Sequence, residues 1–475
     1  MKDNVIVWFR QDLRIHDNPA LYEACRSGQV IPVYILDDHA AGDWKMGAAS
    51  RWWLHHSLIA LNKSLGGNLR LFKGDPSLTI AQLAQETSAS AVYWNRAYEP
   101  WRIKRDSNIK LEMQKQGYTV QSFNGSLLWE PWDITKQDGT HYKVFTPFYR
   151  KGCLNAPAPR EPLPPIELDS IVPSSTPFDI DSLQLLPKID WDSEFYQHWQ
   201  PGETGAADTL SSFLNTGLAH YRDGRNYPAK PYISTLSPHL HFGEISPNQV
   251  WYASAHTALD TSSEDALDCF HSELGWREFS YYQLYYNPNL PEKNLQTKFD
   301  RFPWKTDSSS HLSAWQKGLT GYPIIDAGMR QLWKTGYMHN RVRMVVGSFL
   351  VKNLLLHWQH GARWFWDCLL DADLASNSAS WQWVAGCGAD AAPYFRIFNP
   401  VTQGEKFDSE GDYIRQYIPE LSNIPNKYIH TPWELSTEEL LQYGVVLGET
   451  YPAPIVDLKH SRNAALEALS SIKEA

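Results

Sequence analysis

The run Val5-Ile6-Val7-Trp8-Phe9, close to the start of the chain, decides the class of fold. It is short and continuously apolar, which is typical of a strand buried on both faces of a parallel sheet. Runs of this kind alternate with segments of helical spacing along the first 128 residues. The later predicted strands are Val30–Leu36, Leu69–Phe72, Ala91–Trp94 and Thr119–Phe123, and the predicted helices are Ala20–Arg26, Ala49–Leu65, Leu78–Glu86 and Arg102–Gln116. This alternation predicts an α/β domain with a doubly wound, five-stranded parallel sheet.

Such a sheet binds ligands at the carboxyl ends of its strands. No G-x-G-x-x-G follows the first strand, and no G-x-x-x-x-G-K-[ST] occurs in the chain. Ordinary dinucleotide or P-loop nucleotide binding is therefore not expected in this domain.

The rest of the chain has a different character. Nine prolines fall between residues 151 and 201, where periodicity is lost, and this predicts a linker over the surface. Beyond it, helical spacing dominates in Ala206–Gly217, Asn248–Leu259, Glu264–Tyr286, Ile325–Thr335, Asn340–Gln359, Arg363–Leu370 and Ser461–Ile472. We therefore predict an α/β domain over residues 1–130, a linker over 131–204 and a larger all-α domain over 205–475.

Composition excludes several classes of protein. The chain has 475 residues, of which 43% are hydrophobic and 20% charged, so it is neither disordered nor a coiled coil. We expect no membrane span, and since no basic and apolar leader precedes the first strand we expect a cytoplasmic protein. Five widely spaced cysteines without a C-x-x-C make a disulfide framework or a metal site unexpected. No heptad or exposed apolar seam is evident, so we expect a monomer.

The charge and the tryptophans leave nucleic acid open as a partner. The net charge is −10, but the stretch from Tyr322 to Trp366 holds six Lys or Arg and one Asp, a local charge of +5. A basic region rich in tryptophan suits a surface that follows phosphates, although a solvated helix face is equally compatible. The 21 tryptophans suit a tryptophan-rich core, base stacking, cofactor packing or electron transfer.

Two predicted helices carry candidate binding residues. Glu273, Trp276 and Arg277 share one face, which suits an acid over an aromatic substrate, although an ordinary Glu–Arg pair beside a core indole is the better interpretation of the spacing alone. Asn340 and Met344 also share a face and suit a pocket of mixed polarity.

Two further groups suit a bound ligand. Asp371 and Asp373 lack a third ligand at a known metal spacing, so pairing of a buried Asp with Arg343 is the better interpretation. Tyr221 and the run Ser234-Thr235-Leu236-Ser237 could bind a phosphate or simply cap a helix.

Several longer motifs occur along the chain: Val7–Arg14 with Asp17-Asn18, Tyr142–Phe148, Trp276–Phe279, Gly321-Tyr322-Pro323 with Asp326, Met338–Arg341, and the stretch from Asp390 through Tyr394 to Pro400. Together, from about residue 4 to residue 420, the sequence resembles the photolyase/cryptochrome family. The resemblance implies an α/β antenna domain, a linker and a helical domain that binds FAD. It also implies either repair of ultraviolet-damaged DNA or blue-light signalling.

For a repair enzyme, the resemblance implies that reduced, anionic FAD passes an electron to a flipped-out pyrimidine dimer under blue light. The positions that match contacts to the damaged DNA are Glu273, Trp276, Asn340, Arg341, Met344, Trp383 and Gln403. Glu273 matches a carboxyl group that hydrogen-bonds the dimer, and Trp276 and Trp383 match indoles that flank it.

The same resemblance assigns residues to the flavin. The positions that match FAD-binding residues are Tyr221, Ser234, Thr235, Leu236, Ser237, Arg277, Asn340, Arg343, Asp371, Asp373 and Asn377. Asn377 matches the side chain that faces flavin N5. Trp381, Trp358 and Trp304 match a chain of indoles that carries an electron from the surface to the flavin.

Within the family, cyclobutane dimers are the expected substrate. Photolyases for (6-4) lesions have paired histidines where this chain has Asn340 and Met344. A blue-light receptor without repair activity is the alternative, and a flavin redox protein of unknown substrate is a third.

The antenna departs from the best-known folate-binding branch of the family, because its folate-lining positions are here Trp44, Trp101 and Arg102. Methenyltetrahydrofolate stacked between indoles, as in class III photolyases, is the predicted antenna. A deazaflavin or an empty site are the alternatives.

Overall fold

The computed structural model describes residues 3–261, 263–306, 309–391 and 395–472. Its strands are β1 Asn4–Phe9, β2 Gln29–Leu36, β3 Arg70–Lys73, β4 Ala89–Asn95 and β5 Thr119–Phe123. They form one sheet in the order β3-β2-β1-β4-β5, and every neighbouring pair is parallel. The predicted doubly wound sheet is confirmed, with strand ends within two residues of those expected.

Helices make up most of the remaining regular structure. They are α1 Pro19–Ser27, α2 Ala48–Ser64, α3 Pro76–Glu86, α4 Pro100–Lys115, α5 Phe145–Pro147, α6 Phe195–His198, α7 Glu203–Ser212, α8 Tyr221–Gly224, α9 Ser237–Phe242, α10 Pro247–Thr261, α11 Glu264–Tyr286, α12 Ser309–Lys317, α13 Pro323–Thr335, α14 Asn340–Ser348, α15 Trp358–Cys368, α16 Leu374–Ala385, α17 Pro400–Phe407, α18 Asp412–Tyr417, α19 Thr437–Gln442 and α20 Leu458–Ser471.

Strand β1 lies at the centre of the sheet and shows why its sequence is apolar throughout. Val5, Val7 and Phe9 enter the hydrophobic cluster on one face of the sheet. Ile6 and Trp8 enter the cluster on the other face. Both faces are covered, so successive side chains are all buried.

The proline-rich segment, predicted as a linker over the surface, also buries several of its apolar side chains. Ile171, Leu183, Leu185 and Phe195 are buried in the hydrophobic cluster that covers one face of the sheet. Ile171 also forms a parallel bridge with Val30 of β2. Apolar residues that are widely spaced among prolines carry no periodic signal, although each still gains by burial.

The prediction of a single helix over Asn340–Gln359 was wrong. Helix α14 ends at Ser348 and a π-helical turn continues to Asn353. Leu355 then has a φ of +56°, which no α-helix accommodates. The next helix, α15, begins at Trp358 and absorbs most of the segment predicted separately as Arg363–Leu370.

Chain contacts divide the protein into two compact units. The first, called unit 1, comprises Met1–Arg222, Ser234–Pro288 and Leu370–Ala375. The second, called unit 2, comprises Asp223–Ile233, Asn289–Leu369 and Ser376–Ala475. Unit 1 therefore contains the sheet together with the first long helices of the helical region.

The described residues contain neither a membrane-spanning helix nor a group of metal-ligating side chains. None of the helices there combines the length and apolar character that crossing a bilayer requires. Within the same residues, no three His, Cys, Asp or Glu side chains are grouped as metal ligands.

Candidate functional site

In unit 1, the long helix α11 carries Glu273 and Trp276 one turn apart, as the sequence predicted. Both side chains are partly exposed. The indole of Trp276 stacks on Phe145, with ring centroids 3.8 Å apart and an angle of 11° between the planes. This stacking fixes the plane of the indole beside the carboxylate.

Next to this pair, Arg277 and Glu278 belong to a buried polar group. Arg277 Nη1 lies 3.0 Å from Glu278 Oε1, and its guanidinium lies 5.0 Å from the centre of the Tyr281 ring. Glu278 Oε2 also accepts hydrogen bonds from the backbone N–H groups of Leu128 and Trp129. Burial raises the pKa of Glu278 to about 7, against the opposing effect of Arg277. This carboxyl group ties α11 to the segment that follows β5.

Two predicted cofactor residues of unit 1, Asp371 and Asp373, lie in buried surroundings. Ser237 Oγ donates to Asp371 Oδ2 at 2.5 Å. Tyr281 Oη donates to Asp373 Oδ2 at 2.6 Å. Burial raises the pKa of Tyr281 well above its usual value, and the charge of Asp373 adds to the effect, so the phenol stays a donor. Ser237 and Asp371 are thus brought together although 134 residues separate them.

The residues Ser234, Thr235 and Leu236 form a tight loop before α9. Thr235 has a φ of +49°, a conformation that L residues seldom adopt. The hydroxyl-bearing side chains are half-buried, but Leu236 is buried and its N–H donates to Ser234 Oγ at 3.4 Å. Tyr221 is buried and packs edge-on against Phe270 of α11.

In unit 2, helix α14 presents the predicted pair Asn340 and Met344. Asn340 is exposed, and Met344 is half-buried one turn later. His339 caps the helix, because its Nδ1 accepts the N–H of Arg341 at 3.2 Å. Burial, aided by Arg343 and Arg341, lowers the pKa of His339 to about 3, so the ring stays neutral and able to accept.

The two arginines of α14 are each held in place within unit 2. Arg341 hydrogen-bonds Asn226, and its guanidinium lies 4.5 Å from the centre of the Phe407 ring. Arg343 Nε donates to Met338 O at 2.7 Å, and its guanidinium lies over Tyr337. The pairing of Arg343 with Asp371 stays a prediction.

Helix α16 packs on α15 through two of the predicted residues. Asn377 Nδ2 donates to Ala362 O at 3.0 Å. One turn later the indole of Trp381 lies on Gly361, where a Cβ atom would come within 2.0 Å of the ring. Trp358 lies one turn before Gly361 on α15 and is fully buried. Trp381 therefore packs against the helix that also carries Trp358.

The other predicted indoles of unit 2 have aromatic neighbours of their own. The imidazole of His357 lies 5.2 Å from the Trp304 ring and 5.5 Å from the Trp358 ring, measured between centroids. Trp358 Nε1 donates to Asn294 Oδ1 at 2.9 Å. Trp304, His357 and Trp358 thus form a continuous aromatic series.

Two predicted DNA contacts lie on separate helices of unit 2. Trp383 is half-buried on α16, with the guanidinium of Arg396 at 6.0 Å from its ring centre. Gln403 lies on α17, whose N-terminus Asn399 caps by accepting from the N–H groups of Val401 and Thr402. Residues 392–394 of the family motif lie outside the described residues.

The predicted antenna residues differ in their surroundings. Trp101 lines a cavity of unit 1 together with Trp8, Arg102 and Arg105. The guanidinium groups of Arg102 and Arg105 lie 4.9 and 5.1 Å from the centre of its ring. Trp44 belongs to a short 3₁₀ turn and is half-buried. The arginines contact the indole on which a folate was expected to stack.

The polar side chains of the candidate site suit a flavin dinucleotide. Serine and threonine hydroxyls in a tight loop suit a phosphate or ribose, and buried carboxylates suit the N–H groups of a flavin ring. The buried amide of Asn377 can donate or accept. These residue types fit the cofactor that the sequence predicts.

Some residues around these groups escaped the sequence analysis. Phe145 lies in the quoted Tyr142–Phe148 motif, but nothing in the motif indicated that it stacks on Trp276. Tyr281 follows Arg277 by one turn on the same apolar helix and gave no separate signal. Gly361 carried no signal, since its role depends on the indole of Trp381, which lies on another helix.

Comparisons with known proteins identify the family. Residues 5–167 match a family model described as DNA photolyase, and residues 270–471 match the FAD binding domain of DNA photolyase. A deoxyribodipyrimidine photo-lyase of Agrobacterium fabrum is 49% identical over 99% of this chain and 98% of its own length. Cryptochrome-2 of Arabidopsis thaliana is 38% identical over 100% of this chain and 80% of its own length.

A solved structure agrees with these sequence relations. The crystal structure of a bacterial class III photolyase from Agrobacterium tumefaciens has a TM-score of 0.95 and 47% identity, covering 100% of this chain and 98% of that one. The chain belongs to the photolyase/cryptochrome family and carries its FAD-binding domain. The predicted family and fold are confirmed, and the roles of single residues stay predictions.

Proposed function

We propose that this protein is a deoxyribodipyrimidine photo-lyase that splits cyclobutane pyrimidine dimers in ultraviolet-damaged DNA under blue light. The observation that carries the proposal is the 49% identity to a deoxyribodipyrimidine photo-lyase over nearly the whole of both chains. The acid and indole on one face of α11 support it, because a pyrimidine dimer offers carbonyl acceptors and flat faces to such a pair.

In this proposal the carboxyl group of Glu273, carrying its proton, donates a hydrogen bond to a carbonyl group of the flipped-out dimer, and Trp276 gives the dimer an apolar face. Phe145 holds that indole in a fixed plane, so less conformational entropy is lost when the dimer binds. The other proposed contacts to damaged DNA are Asn340, Arg341, Met344, Trp383 and Gln403. Arg341, braced by Phe407, is the member suited to a phosphate.

We propose that FAD is held by Tyr221, Ser234, Thr235, Leu236, Ser237, Arg277, Asn340, Arg343, Asp371, Asp373 and Asn377. When bound in its reduced, anionic form and excited by blue light, FAD supplies the electron that opens the dimer. Leu236 takes part through its backbone, since its side chain is buried. Asp371 and Asp373 orient the ring by accepting hydrogen bonds, and Asn377 offers an amide to flavin N5.

For activation, we propose that Trp381, Trp358 and Trp304 carry an electron toward the flavin. The packing of Trp381 on Gly361 and the aromatic series through His357 support this order. For the antenna, we propose methenyltetrahydrofolate in the region of Trp44 and Trp101. Arg102 and Arg105 in the cavity beside Trp101 suit a ligand that carries carboxylates.

The test is repair of ultraviolet-irradiated oligo-thymidine by the reduced holoprotein, followed through the recovery of thymine absorbance in blue light and in the dark. We expect recovery only in the light, and at least a tenfold loss of rate in Glu273→Ala, in line with the loss of one stabilising hydrogen bond. Glu264→Ala, at the exposed start of the same helix, is the matched control. It should repair as the unchanged protein does.

The second candidate is a blue-light receptor, supported by the 38% identity to a plant cryptochrome over the full chain. Absence of repair by a preparation that holds fully reduced FAD would favour the receptor and contradict the repair proposal.

A further inference from the structure

A row of buried polar side chains in unit 1 leads from Asp373 to helix α4. His241 Nδ1 lies 3.8 Å from Asp373 Oδ2. The side-chain nitrogen of Gln11 lies 3.1 Å from His241 Nε2 and 3.5 Å from Nδ1. At the far end, Arg102 Nη1 donates to Gln11 Oε1. His241 and Arg102 are buried, and Gln11 is half-buried directly after β1.

The hydrogen-bond direction along this row follows from Arg102. A guanidinium has only donors, so the Gln11 atom that meets it has to be the amide oxygen. The amide nitrogen is then the atom that faces His241, and it can only donate. Of the two imidazole nitrogens, Nε2 at 3.1 Å is better placed than Nδ1 at 3.5 Å to accept from it, and an accepting nitrogen carries no proton. A neutral imidazole that lacks a proton on Nε2 carries its proton on Nδ1, the nitrogen that faces Asp373.

We propose that His241 is a positioning residue, held by Gln11 and Arg102 in the neutral tautomer that directs its Nδ1 proton at Asp373. The row thereby ends beside the carboxylate that also accepts from Tyr281. The inference rests on the proposed function in one respect, which is that Asp373 lies at the edge of the bound flavin.

Charged side chains of both signs line the cavity beside His241. The cavity that His241 lines is also lined by Arg10, Arg96 and Arg277, with Asp12 and Glu99 as its acids. Glu99 lies 3.2 Å from Arg102 and is thereby engaged with another cation.

Arg102 also belongs to the cavity beside Trp101, which Gln11 lines as well. Gln11 thus borders both cavities and is the one side chain of the row that reverses its donor and acceptor ends by a simple rotation of its amide. Substitution of Gln11 is therefore the direct way to change the His241 tautomer without touching either Asp373 or Tyr281.

The test is nitrogen NMR of the FAD-loaded protein labelled with ¹⁵N-histidine, in which His241 is assigned by its loss in His241→Asn. We expect the pattern of a neutral ring protonated on Nδ1. Gln11→Glu places an acceptor at His241, so both ring nitrogens should become protonated. Gln11→Met removes both hydrogen bonds, and the ring should then populate both neutral tautomers. Gln114→Glu, which adds the same charge at an exposed position of α4, is the control and should leave His241 unchanged.

A second measurement is the midpoint potential of the flavin. A protonated His241 beside Asp373 favours a reduced, anionic cofactor, so Gln11→Glu should shift the potential to more positive values than Gln114→Glu does. A proton on Nε2 in the unchanged protein, or a His241 signal that ignores Gln11→Glu, would overturn the tautomer. An altered tautomer with an unaltered potential would overturn its action on the flavin. Repair of irradiated oligo-thymidine, measured separately, decides the proposed function whichever way these results fall.

Discussion

A single buried carboxyl group, Glu278, shows how much one residue of this protein holds. It is 3% exposed, and it accepts from two backbone N–H groups of the segment after β5 and from Arg277. Those donors do not fully offset the cost of removing the carboxylate from water, which is why its pKa rises to about 7. The residue next to the proposed flavin ligand Arg277 therefore changes its charge near neutral pH.

This shift predicts a pH dependence of stability that Glu278→Gln removes. The pKa is about 7 when folded and near 4.5 in the unfolded chain, so between these values the folded state binds the extra proton. The free energy of unfolding of the unchanged protein, relative to Glu278→Gln, should therefore fall on the order of 2 kcal/mol from pH 5 to pH 8. Urea unfolding of both proteins at the two pH values measures this difference.

Other titrating groups, such as Asp326 and Asp408, occur in both proteins and cancel in that comparison. Glu264→Gln, at an exposed position, should show no such change between the two pH values. A difference that rises with pH, or that stays constant, would contradict the raised pKa.

The sequence could single out Glu273 but not Glu278. Helical spacing placed Glu273, Trp276 and Arg277 on one face, and the structure agrees with that spacing. The burial of Glu278 depends on Leu128 and Trp129, 150 and 149 positions away along the chain. No local pattern reports a partner at that distance, so the role of such a residue appears only in the fold.

The helices α15 and α16 approach each other closely at Gly361. Gly361 lets the Trp381 indole lie against the backbone of α15, and Asn377 adds a hydrogen bond to Ala362 O one turn earlier on α16. Asn377, which the resemblance places at flavin N5, and Trp381, which it places in the chain of indoles, thus both contact α15. The position of Trp381 depends on the absence of a side chain at residue 361.

Gly361→Ala should therefore destabilise the protein and slow light-driven reduction of its flavin. Alanine ordinarily favours a helix over glycine by about 1 kcal/mol, so any loss has to come from the contact with Trp381. We expect a net loss of about 1–3 kcal/mol in the free energy of unfolding, as for other overpacked sites. Urea unfolding and the rate of photoreduction under blue light measure the two effects.

His360→Ala, at the exposed neighbouring position on α15, is the control and should leave both quantities nearly unchanged. A Gly361→Ala protein as stable as the original, with unchanged photoreduction, would show that the indole is not held by this contact.

Apolar spacing predicted the five strands and the long helices of unit 1 to within a few residues, because burial of one face or of both faces fixes that spacing. It failed at Leu355. The run Leu354-Leu355-Leu356 is apolar throughout and gives no sign of a turn, yet Leu355 adopts a positive φ. Such a conformation is selected by the packing of several segments, so it has no local signature.

In the molecule as a whole, the proline-rich segment contributes to the core of unit 1. Phe195 is fully buried and packs edge-on against Trp52 of α2, with ring centroids 5.2 Å apart. Ile171, Leu183 and Leu185 enter the same hydrophobic cluster. The loss of periodicity predicted a surface linker here. It gave no sign that single apolar residues anchor this segment in the core.

Phe195→Ala should cost about 3–5 kcal/mol in the free energy of unfolding, since it leaves a cavity among aromatic rings. Ile189→Ala, in the same segment but 67% exposed, is the matched control and should change it by less than about 0.5 kcal/mol. Urea unfolding of the two variants distinguishes an anchored segment from a loose one. Equal stability of the two would contradict the anchoring.

Unit 1 is assembled from three separate stretches of chain, and the last of them ends at Ala375. A ribosome releases the chain from its N-terminus, so the sheet can form early while the closing stretch is still unsynthesised. About 80 residues separate Pro288 from Leu370, so unit 1 cannot be completed until these residues have been synthesised. The carboxylates Asp371 and Asp373 arrive in that closing stretch. The proposed cofactor site is thus completed late in translation. A chain stalled before residue 370 should remain sensitive to proteolysis.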